Sequence, residues 1–575
     1  MLTRLVLRNF KLFKEVDIEL GQRVVFVGPN NSGKSTALQA LALWSTCVRR
    51  WVEKRGGRPT PKERAGVTIN RRDLIALPVP SANLLWRDLH VREGRRDSGK
   101  TKTSNVLIEI EVTGIDQGRE WHTAIELDYA NEESFYCRSK TGPSGERLEI
   151  SEAAARLPVA YLPPMSGLAA NEVRLDEGAI AVRIGEGRTA DVLRNLCWRA
   201  LEANQERWNA IRERMHALFG VHLDDPEYIK ERGEVSMTYR RGGVRLDLSS
   251  SGRGQQQTLL LLAHMAANPG AVLLLDEPDA HLEVLRQRQI YDVLTRTAEE
   301  TGSQIIAASH SEVLLNEAAG RDMVVAFVGR PHRIDDRGRQ VVKALKSIGF
   351  EQYLQAEQTG WVLYLEGSTD LAILRALAEK LEHPARGWLE RPFVHYVENQ
   401  PAKARDHFHG LREAKPDLVG LALYDRLDRE PPSDERLTQL MWRRREIECY
   451  LCSREVLLRW ARSQAKDRLG PLFSSKAEPV MRKAIDEVSS ALRTLGKPDP
   501  FGPDCKVSEE FLDPVFRKFF VSLGLPEATI RKTDYHTLAP HLEASDIDLE
   551  VKEKLDAIVD VAQRASPVDA SGAEP

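Results

Sequence analysis

The chain opens with two stretches, residues 3–8 and 15–20, where apolar and polar side chains alternate with the period of half-exposed strands. They lead into residues 24–27, an apolar run that predicts a buried strand, then a glycine-rich loop and a helix from Lys34. Residues 49–104 are dense in Arg, Lys, Gly and Pro and read as a loop-rich insertion. Two more strands are predicted at 106–112 and 123–129, and helical periodicity governs 191–219. Residues 272–275 are consecutive aliphatics, the signature of a strand covered on both faces, and 304–308 predict another strand after a helix. From Trp361 the pattern is strand, helix, strand (393–397), helix, strand (418–424), as in parallel βαβ units. Beyond Trp442 the chain reads as helical, and 566–575 as a disordered tail.

Such alternation predicts an α/β protein, and 575 residues are too many for one core. A charged fraction of 29% beside 42% hydrophobic residues excludes a disordered or fibrous chain. With 82 basic against 85 acidic side chains the net charge is −3, so nucleic-acid binding would have to rest on local patches. Six scattered cysteines argue against a disulfide framework and for a reducing compartment. The charged N-terminus is unlike a signal peptide, and the apolar run from Thr258 is too short to span a bilayer. A cytoplasmic protein without a membrane anchor is expected.

Gly28-Pro29-Asn30-Asn31-Ser32-Gly33-Lys34-Ser35 fits GxxxxGK[ST] between a strand and a helix. Gly28, Asn30, Asn31, Gly33, Lys34, Ser35 and Thr36 are therefore candidate ATP-binding positions. Backbone N–H groups would wrap the phosphates, Lys34 would neutralise their β/γ end and Ser35 would ligate Mg²⁺. The strand at 272–275 delivers Asp276, expected to hold Mg²⁺ through water, and Glu277, expected to polarise the attacking water. His310 ends the next strand, placed to sense the γ-phosphate. Ser251, Gly252, Gly254 and Gln255 open an apolar helix and would form a second anion site. One chain cannot easily bring both sites to one γ-phosphate, whereas a two-fold dimer can.

A second constellation begins at Val362-Leu-Tyr-Leu-Glu366-Gly-Ser-Thr-Asp370. Glu366 ends a strand and Asp370 opens a helix, at the end of a parallel sheet where ligands of open α/β sheets bind. Asp425 ends a later strand and Asp428 follows three residues on. Carboxylates of this kind suit Mg²⁺, and two such ions could activate water and stabilise a leaving oxygen. The bland alternative is a solvated acidic rim.

The first set, with Leu5-Val-Leu-Arg-Asn-Phe-Lys-Leu-Phe13 at its head and Asp276-Glu-Pro-Asp279-Ala-His-Leu282 after the aliphatic strand, resembles ABC-type ATPases of the SMC/RecF group. Asp279 joins the nucleotide-contacting positions through that resemblance. The signature departs from the pattern, reading Ser-Ser-Gly-Arg-Gly-Gln where the group has Leu-Ser-Gly-Gly-Gln. About 215 residues separate loop from signature without heptads or a zinc-hook cysteine pair, which excludes long coiled-coil arms and suits a compact dimerisation insert.

The second set resembles a TOPRIM domain, and the order of the halves is similar to the OLD (overcoming lysogenization defect) family of ATP-dependent nucleases, including Gabija and retron-associated nucleases. Tyr161–Leu168 and Arg445–Leu451 also look like segments of that family. The resemblance implies an ABC-type ATPase domain over 1–360, with a helical dimerisation insert near 165–245. A TOPRIM nuclease domain with helical additions would follow over 361–565. It implies ATP with Mg²⁺, Mn²⁺ being an alternative at the acidic site, and metal ligands Glu366, Asp370, Asp425, Asp428 and Glu448. Glu446 is a weaker option than Glu448, and since the two diverge on an α-helix only one of them can serve. The resemblance also implies a late catalytic lysine, which has no sure counterpart here; Lys532 is the candidate. The family pair is Asp-x-Asp, whereas Asp425 and Asp428 stand three apart, which puts Asp428 in doubt.

The implied function is an ATP-hydrolysing, Mg²⁺-dependent DNA endonuclease or nickase in antiphage defence, RNA remaining open as substrate. It would act as a homodimer or higher even oligomer, with a helicase, a reverse transcriptase and its msDNA, or a toxin as possible partner. One rival is an ATPase sensor or scaffold with a degenerate TOPRIM centre that holds an effector. Another is a SMC/RecF-like DNA clamp that does not cut. Cys449 and Cys452 read as structural, His407 and His409 as exposed, Trp361 and Trp442 as core. Basic stretches at 49–64, 71–72, 92–102 and 443–445 are candidate phosphate grips.

Overall fold

Residues Val272–Asp276 form a strand buried at every position, as a run of aliphatics between two layers must be. In the computed structural model it belongs to a six-stranded sheet, in the order 159–162, 272–276, 304–309, 23–27, 323–326, 332–333. All neighbours are parallel except the last pair. Asp276 is level with Ala308, and Ser309 with Val27. The turns after residues 27, 276 and 309 therefore leave the sheet side by side at its carboxyl edge.

The chain is described apart from residues 56–65, 72–73, 75–76, 78, 98–99, 143–146, 166–167, 169–170, 320, 335–347, 470, 525–529, 544 and 568–575. Most of the tail predicted at 566–575 lies outside the described residues, as do parts of the basic stretches at 49–64 and 71–72 and of the 161–168 segment. The chain divides after Leu354 into two compact units.

In the first unit the helix Lys34–Arg55 is covered on one side by a six-stranded antiparallel sheet, ordered 13–19, 2–10, 108–116, 119–131, 134–139, 67–70. Leu5, Phe10, Trp44 and Ile110 lie in the core between them. The opposite face of the parallel sheet carries the helices Leu193–Ala203, Gln205–Phe219 and Arg253–Ala267, packed through Leu196, Trp208, Met215 and Leu260. Two expectations need correcting. Among its described residues the span 49–104 is not mainly loop: the helix runs on to Arg55, and strands occupy Val67–Asn70, Arg92–Asp97 and Lys100–Asn105. The insert near 165–245 is helical only to Phe219, where Gly220 takes a left-handed cap. Short antiparallel strands follow, whose glycine turns at 242–243 break helical periodicity.

The second unit is built on a four-stranded parallel sheet ordered 394–396, 361–365, 419–424, 437–441. Trp361–Leu365 and Val419–Tyr424 are buried throughout. The last strand, Leu437–Met441, escaped the sequence pattern because only Leu437 in it is fully buried, as suits an edge. Helices Arg454–Leu469, Asp513–Ser522 and Leu549–Gln563 pack with Trp361 and Trp442 into one core. Among the described residues no helix is long and apolar enough to cross a membrane.

Candidate functional site: a glycine-loop centre and an acidic centre

The loop Gly28–Ser35 leaves the central strand under steric compulsion. Gly28 has φ 154° and a Cβ there would lie 2.7 Å from the Phe327 carbonyl oxygen. Gly33 has φ 102° and its Cβ would meet the Phe13 ring at 2.4 Å. Asn30 and Asn31 are exposed, Asn31 at φ 63°. Lys34 is buried and donates to the carbonyls of Gly28 (2.7 Å) and Pro29 (2.8 Å). Burial lowers its affinity for its proton, against the pull of Glu277 and Asp276. Ser35 Oγ donates to Asp276 Oδ1 at 3.0 Å, and Thr36, beside it, is half-buried. Burial raises the Asp276 pKa, while Ser35 and Tyr161 oppose the rise.

Tyr161 is a residue that sequence reasoning did not single out. Its phenol donates to Asp276 Oδ2 at 3.3 Å from the neighbouring parallel strand. Glu277 follows in a left-handed turn (φ 49°), a cost of about 1–3 kcal/mol that non-glycine residues bear chiefly at functional turns. Its carboxylate lies 3.4 Å from His310 Nδ1. Asp279, expected among the nucleotide-contacting residues, faces inward and accepts from Ser309 Oγ at 2.8 Å. Here the buried hydroxyl wins, because an unpaired buried carboxylate is far costlier than an exposed one. Ser251 Oγ donates to the Leu248 carbonyl at 2.6 Å, and Gly252 is the N-cap of the helix that carries Gly254 and Gln255.

In the second unit Glu366, Asn399 and Asp425 stand at the carboxyl ends of neighbouring strands. Asn399 Nδ2 donates to Glu366 Oε2 at 2.9 Å and to Asp425 Oδ2 at 3.4 Å, and Asn399 Oδ1 accepts from the Asp425 amide at 3.0 Å. Glu398 and Asn399 are both left-handed, at φ 50° and 56°. Burial drives the Asp425 pKa far upward, reinforced by Glu366, Asp370 and Glu448. Burial likewise brings Asp370 to about 6 and Glu448 to about 7. Lys532 Nζ reaches Glu448 Oε1 at 3.2 Å, and burial of the lysine is outweighed by Glu448, Glu366 and Glu446, which raise its pKa.

The five carboxylates expected as metal ligands take different places. Among the described residues, no three His, Cys, Asp or Glu side chains form a ready cation cage. Asp370 Oδ2 accepts from the amides of Glu366 (3.0 Å) and Gly367 (3.4 Å), and Asp428 is exposed at the rim. Like charges crowded at low dielectric must be offset, and Asn399, Lys532 and backbone amides do so. Glu448 sits on a 3₁₀ turn, Ile447–Tyr450, rather than an α-helix, with Glu446 extended at its N-cap and accepting from Ser508 Oγ at 2.9 Å. A cavity of about 290 Å³ joins Glu366, Asn399, Asp425 and Asp428 to the cations Arg426, Arg445 and Lys506. The donor set still fits a hard cation: Glu366 and Asp425 converge on one point, now held by an amide dipole.

The weaker expectations also find their places. Cys449 and Cys452 are buried free thiols. His407 is not exposed: it stacks on His395 at 3.8 Å and bonds the Tyr364 hydroxyl at 2.9 Å, while His409 pairs with Asp434 at 2.8 Å.

Comparison with known proteins bears on the first unit. Residues 1–47 match the family described as "AAA ATPase domain", and residues 194–316 match "AAA domain, putative AbiEii toxin, Type IV TA system". Peptide import ATP-binding proteins of Brucella abortus (strain 2308) and Brucella suis biovar 1 are 35% identical over 78 residues, 14% of this chain and 23% of theirs. The chain thus spans about a quarter of the length of the curated relatives it matches. The SMC head domain from Thermotoga maritima is 18% identical, with 58% of this chain and 98% of that one covered at a TM-score of 0.30. The Smc head domain from Pyrococcus furiosus, with an extended coiled coil and bound to the C-terminal domain of ScpA, gives 15%, 60%, 99% and 0.36. Likenesses that loose carry no weight here. The family matches and the Brucella relatives suffice to say that the chain carries an ATPase domain of the AAA/ABC type.

Proposed function

We propose that this ATPase is coupled to a Mg²⁺-dependent DNA endonuclease or nickase of the OLD type, with a TOPRIM centre in the second unit, acting in antiphage defence. The observation that carries the reading is the convergence of Glu366 and Asp425 on Asn399 beside the Glu448–Lys532 pair. Two carboxylates at the ends of adjacent parallel strands, with a lysine close by, suit phosphodiester chemistry.

In this reading Lys34 and the loop amides hold the ATP phosphates, Ser35 and Asp276 hold Mg²⁺, and Glu277 takes the proton of the attacking water. His310 orients Glu277 and responds to the γ-phosphate. The signature at Ser251–Gln255 serves the nucleotide of a second copy, so ATP clamps a homodimer. At the acidic centre Mg²⁺ or Mn²⁺, held by Glu366 and Asp425, would polarise the scissile phosphate. Asn399 fixes the two carboxylates at one spacing. Glu448 keeps Lys532 charged and aimed at the leaving oxygen, and Arg426, Arg445 and Lys506 offer charge to the strand backbone.

Conversion of supercoiled plasmid to open circle, with Mg²⁺ or Mn²⁺ and with or without ATP, tests the reading. Wild type should nick, Glu366→Ala should not, and Lys34→Ala should lose the response to ATP. No cleavage of any DNA by wild type, with Glu366→Ala indistinguishable from it, would sink the proposal. A second reading, a sensor ATPase that holds a partner effector, is favoured by the exposed position of Asp428. Co-purification of a partner whose activity survives Glu366→Ala would select it.

A further inference from the structure

A cavity of about 410 Å³ opens in the first unit, away from the glycine loop and within the size range of small-molecule sites. Ile180 and Ile184 of the helix Glu177–Gly185 line it, with Leu196 and Val159. At its base lies His264, 3% exposed, from the helix Arg253–Ala267. Neither ring nitrogen of His264 completes a hydrogen bond, although the Ala160 carbonyl is close by. Burial holds the imidazole neutral, with its pKa lowered to about 4, so it offers one donor and one acceptor. An unsatisfied buried side chain of this kind costs about 1–3 kcal/mol and is uncommon without a purpose.

Three guanidinium groups line the same cavity: Arg49, Arg50 and Arg199. Arg50 pairs with Glu53 at 3.3 Å and Arg199 with Glu177 at 3.1 Å. Arg49 is exposed and has no acidic side chain at ion-pair distance among the described residues. The lining therefore carries one positive charge in excess, supplied by forks that match phosphate oxygens. Between these groups Val159, Ile180, Ile184 and Leu196 supply apolar surface against which a flat ring could lie, in a lining that is otherwise largely polar. The ring's edge would meet the His264 nitrogens, as a nucleobase edge can, since it carries donors and acceptors together.

We propose that this cavity binds a nucleoside monophosphate, its base toward His264 and its phosphate toward Arg49 and Arg199, and that occupancy tunes the ATPase through Tyr161. Tyr161 is among the residues that line the cavity, and its hydroxyl donates to Asp276 Oδ2. A ligand seated against Tyr161 acts on the hydrogen bond that its hydroxyl makes to the Asp276 carboxylate. The inference rests on the ATPase domain and is independent of any nuclease activity.

The probe is AMP, titrated by calorimetry into the full chain carrying Lys34→Ala, so that binding at the glycine loop is suppressed. One saturable site per chain is expected. Ala181→Trp, which fills the cavity from a half-buried position, and Arg199→Ala should each weaken it about tenfold or more. Ala181→Leu should give a smaller loss and guards against a misfolded tryptophan variant. In ATP hydrolysis by chains with an intact loop, AMP should change the KM for ATP by about twofold or more beyond its effect on Ala181→Trp, and this excess should vanish in Tyr161→Phe. Absence of saturable binding below about 10 mM, or equal binding by Ala181→Trp, overturns the site. An effect of AMP on hydrolysis that is identical in wild type and Tyr161→Phe overturns the coupling.

Discussion

The side-chain amide of Asn399 donates to the Glu366 carboxylate at 2.9 Å from a backbone held at φ 56°. A left-handed asparagine here spends its one side chain on two carboxylates, work that the proposed cation would share. Asn399→Ala should lower unfolding stability by about 2 kcal/mol in EDTA, since Glu366 and Asp425 lose their shared donor. Mg²⁺ or Mn²⁺ at millimolar level should restore most of that loss, and urea unfolding with and without the ion checks it. A deficit unchanged by either ion would argue that the carboxylates do not bind one.

Lys532 and Glu448 form an ion pair in which the carboxylate is 1% exposed. Lys532→Met strands that charge, so stability should fall by about 3 kcal/mol. Glu448→Gln in the same chain should recover most of it, because the orphaned charge is gone. If Lys532 is catalytic as proposed, plasmid nicking stays lost in the double variant while its thermal midpoint returns toward wild type.

Gly33 permits the turn of the glycine loop against Phe13. Gly33→Ala places a methyl group where a Cβ would lie 2.4 Å from the Phe13 ring and adds the strain of a positive φ. ATP affinity should drop by about a hundredfold, an effect of about 3 kcal/mol, measured with a fluorescent analogue. Adding Phe13→Leu, which relieves the clash but not the φ penalty, should restore only part of it.

His264 is fully buried with its pKa lowered to about 4 from 6.5. The unfolded chain takes up this proton near pH 6.5, the folded chain only near 4. The stability due to the neutral ring is therefore complete above pH 6.5 and is lost as pH falls towards 4, about 3 kcal/mol in all. Between pH 7.5 and 4.5 wild type should lose about 2–3 kcal/mol more than His264→Leu in chemical unfolding. Parallel losses in the two chains would refute the assignment.

Much of the first centre was legible because its residues are contiguous and its geometry is local. The run Gly28–Ser35 needs glycines where the backbone is left-handed, and Asp276-Glu277 directly follows a strand whose aliphatic run announces its burial. What the pattern missed came from elsewhere in the chain. Tyr161 reaches Asp276 only because 159–162 pairs with 272–275, a register that no local periodicity encodes. Asn399 could have been suspected from its place just after a predicted strand of the same sheet. That it lies between Glu366 and Asp425 depends on the strand order 394–396, 361–365, 419–424.

The sequence by itself determined the glycine loop, the alternation of strands and helices, and the carboxylates at strand ends, because each follows from backbone sterics or from burial of one face. Tertiary structure alone decided which of those carboxylates meet. Asp370 turned to the backbone amides of Glu366 and Gly367, Asp428 stayed at the rim, Asp279 went inward to Ser309, and Glu448 found Lys532 across some eighty residues of chain. The reason is electrostatic: buried like charges are tolerated only where a donor or a cation is brought to them, and only the folded chain fixes which donor that is.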